Sequence, residues 1–311
     1  VPHQHRVAIL RIHIVTDSGA HFAHPQIATQ YPMTTVPNTL VIGGQPYREG
    51  VDLSTEKLLN LIGKESKPPH VEPPSVDEYA AAYTRLAYHH DAIISIHMSR
   101  ELSDSWKNAQ AAAKQLEGHV QIHVIDSMML DGAQGMVVRA AVRAIEKYDD
   151  IETIVRVVRG AADRAYAVYY VETPDFIARQ GILSRSHAVL SAMTGTIPVV
   201  SIEGGIIVPI EKVRTRSQAI DRLVEFVIEF EDIEDALILQ PGTFMSEHTR
   251  NLQDRLSNEF PGRHFPHAVY SATLATFLGT DATGLVVLES ELDDEADEAD
   301  IDNDKDDEEP L

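Results

Sequence analysis

Apolar positions follow two patterns along this chain. Short β-branched runs such as Ala92–His97 (AIISIH) and Val120–Ile125 (VQIHVI) have the length of buried strands. Stretches near Ser103–Leu116, Asp131–Tyr148 and Ile151–Asp163 repeat their apolar residues at helical spacing. Ile12–Val15 predicts an opening strand, Pro32–Ile42 a further extended segment, and Ser54 can cap a helix through about Ile62. Ser75 and Glu78 stand in capping-box spacing ahead of a helix to about Tyr88. Strands alternating with such helices predict a largely parallel sheet covered by helices on both faces.

After about Ala165 the pattern changes. Ala165–Val171 and Pro198–Ile202 read as strands, and Gly204-Gly205 as a tight turn into Ile206–Lys212. Arg216–Glu229 and Glu247–Glu259 read as helices, with Ala236–Leu239, Phe265–Ser271 and Gly284–Leu288 as further strands. A two-residue turn joins antiparallel neighbours, so this half predicts a mixed or antiparallel sheet. The expected fold class is α/β: two α/β domains, residues 7–164 and 165–290, with a ligand cleft between them. Residues 291–311 are expected to form a disordered acidic tail.

Length agrees with two domains, since 311 residues exceed what one core usually spans. The net charge of -22 is uneven: Glu289–Leu311 holds fourteen acidic residues against Lys305 alone. The remaining chain is still acidic, which argues against a nucleic-acid partner. No apolar run approaches the ~20 residues of a membrane span. Arg6, Arg11 and three histidines interrupt Val1–Val15, which reads as the approach to a strand rather than a signal peptide. The chain has no cysteine, which removes disulfides and thiolate chemistry and suits a cytoplasmic protein.

Familiar catalytic motifs are missing: there is no GxSxG, GxxxxGK[ST], GxGxxG or HExxH. The histidines are scattered as His3/His5, His21/His24 and His89-His90, so no metal site is expected. Asp300, Asp302 and Asp304 open like a calcium loop, but Lys305 and Leu311 occupy its required Gly and Glu places. Ser99 and Ser103 follow the AIISIH strand and precede a helix, where backbone N–H groups face the sheet edge. Ser103 is there either a plain N-cap or a hydroxyl donor to a ligand.

Several segments together resemble the DegV family of bacterial fatty-acid-binding proteins, over about Arg11 to Glu289. They are IVTDS (Ile14–Ser18), YREGVDLS (Tyr47–Ser54), SIHMSRELS (Ser95–Ser103), VIDS (Val124–Ser127), SIEGGIIVPIEKVRTR (Ser201–Arg216) and GTDATGLVVL (Gly279–Leu288). The resemblance implies two α/β domains, an acyl chain buried in the second and its carboxylate held at the interdomain cleft. It also implies a binding protein, not an enzyme, that presents a long-chain fatty acid to a separate ATP-dependent kinase subunit. No cofactor is implied beyond the bound lipid. Phe176, Ile177, Leu183, Val189, Leu190 and Met193 are the residues expected to line the chain pocket, or else to be ordinary core.

The head-group positions depart from the family pattern. The family's Ser is retained as Ser103, but its Thr, Arg and His positions are Val71, Ile182 and Asp281, and Asp104 replaces a Gly. Arg179 and Arg185 flank Ile182, and a buried, protonated Asp281 is a second possible compensation. Arg214 and Arg216 keep the family's VRTR pattern, near the cleft in that family; a solvated helix start is the plainer reading. Two alternatives keep the fold: a neutral or cationic lipid-like ligand, or a non-binding paralogue. An enzyme using Ser103, or Asp17 with Asp281, is the remaining one.

Overall fold

The strand-like runs of the first half assemble into two sheets rather than one. The computed structural model describes residues 10–23, 31–182, 184 and 195–291. It begins with β1 (Ile12–Asp17), β2 (Met33–Val36), β3 (Thr39–Ile42), β4 (Gln45–Arg48), α1 (Thr55–Lys64) and β5 (His70–Glu72). Then come α2 (Val76–Ala87), β6 (Ala92–His97), α3 (Ser105–Gln115) and β7 (Gln121–Asp126). A parallel sheet has the order β2-β1-β6-β7, and β1 and β6 are buried along their whole lengths. Continuous apolar runs are what a parallel strand covered on both faces requires. The capping box of Ser75 and Glu78 forms at the start of α2.

A small antiparallel sheet, β4-β3-β5, accompanies it. The predicted single segment Pro32–Ile42 is therefore corrected to two strands in different sheets. The break falls at Pro37-Asn38, where Pro37 has no N–H to continue a ladder.

The chain continues through α4 (Asp131–Lys147), α5 (Ile151–Asp163), β8 (Ala165–Val171), α6 (Pro174–Arg179), β9 (Ile197–Glu203) and β10 (Ile206–Val213). It ends with α7 (Arg216–Ile228), β11 (Ile233–Gln240), α8 (Glu247–Glu259), β12 (His267–Val269), α9 (Ala272–Leu278) and β13 (Ala282–Glu289). The second sheet has the order β10-β9-β8-β13-β11-β12, antiparallel except for the β11–β12 pair. Gly204 (φ 56°) and Gly205 (φ 83°) make the β9–β10 turn in a left-handed conformation that suits a hairpin. The architecture is two α/β domains, one parallel and one mixed.

Helix α4 lies between the two sheets, against β1 and β6 on one side and β8, β11 and β13 on the other. That position explains why its first eight residues are all buried. Truncating Met136 there to Ala would cost about 2–5 kcal/mol. Helix α9 belongs to the second half of the chain, yet it packs on α1, β3 and β5 of the first. One apolar core consequently runs through both domains. Among the described residues no helix is long and apolar enough to cross a membrane. The acidic segment 292–311 lies outside the described residues, as do Leu183, Arg185, Val189, Leu190 and Met193.

Candidate ligand-binding site

Three polar constellations organise the region where the domains meet. The first holds the loop from β6 to α3. Asp17, at the end of β1, is fully buried, and its Oδ2 accepts from His97 Nδ1 (3.0 Å), Ser105 Oγ (2.8 Å) and the Met98 N–H (3.1 Å). Its Oδ1 accepts from the Gly19 N–H (2.9 Å) and Gln134 Nε2 (3.2 Å). Burial by itself pushes the Asp17 carboxyl up, but His97, Ser105 and Gln134 more than offset this and hold it below its usual range. One carboxylate thus fixes both ends of the loop that carries Ser99 and Ser103.

That loop meets the second domain directly. Ser99 donates its hydroxyl to the carbonyl of Gly205 in the β9–β10 turn, at 2.7 Å and buried. Ser103 is half-buried and its hydroxyl accepts from the Ser105 N–H (3.2 Å). The N-cap of α3 is Asp104, without a side-chain cap bond, so Ser103 is not the cap. Asp104 is exposed beside Lys107 at 3.8 Å.

The second constellation fastens α9. Glu49, after β4, is buried and accepts from Ser18 Oγ (2.7 Å), the Thr273 N–H (2.9 Å) and Thr273 Oγ1 (2.6 Å). Burial pushes its carboxyl up, against the lowering by these donors. Asp131 Oδ1 accepts from the Ser271 N–H at 2.7 Å. Both carboxylates reach across the domain junction to the start of one short helix.

The third surrounds α6. Thr173 donates to Asp281 Oδ2, while Asp281 Oδ1 is buried without a partner. Burial pushes the Asp281 carboxyl up and nearby Glu172 adds to this, against the Thr173 hydroxyl. At the other end of α6, Gln180 Nε2 donates to Pro69 O (3.0 Å) and Arg179 to Ser66 O, which docks it beside β5. Val71 on β5 and Ile182 after α6 both pack, partly buried, on the core that contains Phe176 and Ile177. Arg179 also stacks on the Phe176 ring, 5.2 Å from its centroid.

Val71, Ile182 and Asp281 are therefore grouped around the two ends of one six-residue helix. Ser103 sits on the separate loop, and no hydrogen bond among the described residues joins it to Asp281. Arg214 is exposed and its N–H donates to Gln218 Oε1 (3.0 Å). Arg216 is the nearer cation, paired with Glu172 through Nε and Oε1 at 2.7 Å, one residue from Thr173. Thr173, Glu172, Glu49 and Asp131 were not singled out in sequence. Thr173, ahead of Pro174, and Asp131, at the start of a predicted helix, carry local helix-start signals.

Chemically, this region has buried acceptors, an apolar wall and few cations. Among the described residues no group of three His, Asp or Glu side chains could hold a metal.

A parallel α/β domain and a mixed one, joined through buried carboxylates and a shared apolar core, define a two-domain scaffold with its polar groups at the junction. The model of the DegV family, described as an uncharacterised protein family, matches residues 11–290. The chain belongs to the DegV family. It is 31% identical over 276 residues to a DegV domain-containing protein of Streptomyces coelicolor, covering 88% of this chain and 97% of that one. The solved structure of DegV, a fatty acid binding protein from Bacillus subtilis, superposes with a TM-score of 0.77 at 25% identity, over 90% of this chain and 100% of the other. A Streptococcus pneumoniae fatty acid kinase B3 protein loaded with linoleic acid superposes with a TM-score of 0.78 at 18% identity, over 90% and 100%.

Proposed function

We propose that this protein binds a long-chain fatty acid, with the carboxyl group at the domain junction and the acyl chain in the second domain. The observation that carries this reading is family membership over nearly the whole described chain, together with the likeness to DegV of Bacillus subtilis, a fatty acid binding protein. The division into residues 7–164 and an acyl-chain-binding domain of 165–290 goes with it. Ser103 and Asp281 are the proposed head-group contacts, with Val71 and Ile182 as apolar neighbours and Arg214 at the rim. Phe176 and Ile177, buried on α6, suit the wall of a chain pocket. Burying each CH₂ of a chain there is worth about 0.8 kcal/mol, so a long chain supplies most of the affinity.

Presentation of the carboxyl to a separate kinase subunit is part of the proposal, supported by the likeness to the fatty acid kinase B3 protein. A binding role rather than catalysis is part of the proposal, since among the described residues no His, Asp or Glu side chain is hydrogen-bonded to Ser103, whose hydroxyl accepts from the Ser105 N–H. Asp17 is likewise enclosed by its own donors, away from any pairing with Asp281. The test is displacement of a fluorescent fatty acid by unlabelled fatty acids. Saturable competition supports the reading, and its absence refutes it.

Asp281 favours a second reading of the head group. An ionised Asp281 about 4 Å from a carboxylate would repel it by roughly 1–4 kcal/mol, depending on local dielectric. Its unpartnered Oδ1 suits a group that donates a hydrogen bond, such as a fatty alcohol or amide. If fatty amides outcompete the matching acids at neutral pH, this head group is the correct one.

A further inference from the structure

Among the buried polar atoms outside the α6 region that lack partners, two belong to residues that face each other. Tyr169 on β8 is fully buried and its hydroxyl has no hydrogen bond. Asp131 at the start of α4 is fully buried and its Oδ2 has none. Buried hydroxyls and carboxylate oxygens are rarely left unsatisfied.

The sheet register places the two together. Gly284 on β13 pairs with Tyr169 on one side and Leu239 of β11 on the other. A Cβ on Gly284 would lie 2.0 Å from Tyr169 Cδ1 and 2.3 Å from Cε1, so the ring lies across Gly284. From the helix side, a Cβ on Gly132 would come within 3.2 Å of Leu239 Cδ1 and 3.1 Å of Val286 Cγ2. Asp131 immediately precedes Gly132, over that same row of the sheet. The charge of Asp131 also acts on Tyr169, adding to the burial that drives its phenol well above the usual range.

Asp131 is held in this place rather than resting there. Its N–H donates to Gly19 O (2.7 Å), its carbonyl accepts from the His21 N–H (3.1 Å), and Oδ1 accepts from the Ser271 N–H (2.7 Å). Its φ of 58° is one that L residues seldom adopt. The fixed carboxylate presents an acceptor, and Tyr169 presents a donor.

We propose that Asp131 and Tyr169 form a buried receptor for a hydroxyl group, which accepts from the Tyr169 hydroxyl and donates to Asp131 Oδ2. Two sources carry that chemistry: a resident water, or a hydroxyl on an acyl chain. The second source rests on the proposed acyl-chain function, because Tyr169 is buried on β8, in the sheet of the proposed chain-binding domain. The first does not.

The experiment compares stearic acid with hydroxystearic acids bearing the hydroxyl at different carbons, on the full chain and on Tyr169→Phe. A ligand hydroxyl predicts that one positional isomer binds about tenfold tighter than stearic acid, and that Tyr169→Phe removes only this advantage. A resident water predicts equal binding of all the acids, with a water bridging both atoms in a crystal structure and lost in Tyr169→Phe. Equal binding with no density between Asp131 and Tyr169 overturns the receptor. Failure of every acid to bind sinks the acyl-chain function and leaves the water test to decide this site alone.

Discussion

Thr173 donates its hydroxyl to Oδ2 of Asp281 and leaves Oδ1 of the same carboxyl buried without a partner. The pair links the start of α6 to the start of β13. It also sets the electrostatics of the proposed head-group position, because burial and Glu172 both favour the protonated acid.

Asp281 should make fatty-acid binding pH-dependent. Its folded-state pKa is raised above the ordinary 3.8, so the neutral form, which can donate, is fully present below that value. It gives way to repulsion as pH rises through the raised value. Asp281→Asn should raise fatty-acid affinity near neutral pH by about tenfold, about 1.4 kcal/mol, and flatten the profile. Titrations by fluorescent-ligand displacement at several pH values check this. Identical profiles for the two proteins would count against a role at the head group.

Glu49 and Asp17 predict opposite acid responses in separate windows. Glu49 has a raised folded pKa, so its contribution to stability is full below 4.5 and is lost as pH rises through the raised value. Thermal unfolding of Glu49→Gln should lack that dependence. Asp17 has a lowered folded pKa, so its contribution is full above 3.8 and is lost as pH falls through the lowered value. Asp17→Asn faces the donors of His97 and Ser105 with a weaker acceptor, and should cost about 3–5 kcal/mol. At this chain size that lowers the melting temperature by about 10 °C.

The Ser99–Gly205 contact should be intolerant of any side chain at the turn. A Cβ at Gly205 would stand 2.4 Å from Ser99 Oγ, on a backbone with φ of +83°. Gly205→Ala should therefore cost about 2 kcal/mol, through strain and loss of the buried bond. Ser99→Ala, which removes only the donor, should cost about 1 kcal/mol. Denaturant melts of both variants give the comparison; an equal cost would mean that the hydroxyl, not the turn geometry, dominates.

Much of the fold was legible because it is written locally. Ala92–His97 and Ile151–Asp163 have the predicted bounds in the structure. The Gly204-Gly205 turn and the Ser75 capping box form where their residues stand. Helix α9 was not legible, since seven residues of mixed Ala, Thr, Leu and Phe carry little periodicity and owe their helix to tertiary packing. Apart from Ser103, the candidate site residues came only from the resemblance. Val71, Ile182 and Asp281 do gather around α6, but the carboxylates that join the domains act on residues far along the chain. Glu49 reaches Thr273 and Asp131 reaches Ser271. No spacing rule announces such pairs. Arg216 displaced Arg214 as the nearer cation because its partner Glu172 lies on another element.

The most direct test of the central claim is native mass spectrometry of the purified full chain, with solvent extraction and identification of what it releases. A long-chain fatty acid at close to one per chain is expected, either retained from expression or taken up on incubation. A protein that carries no lipid and takes up none would contradict it.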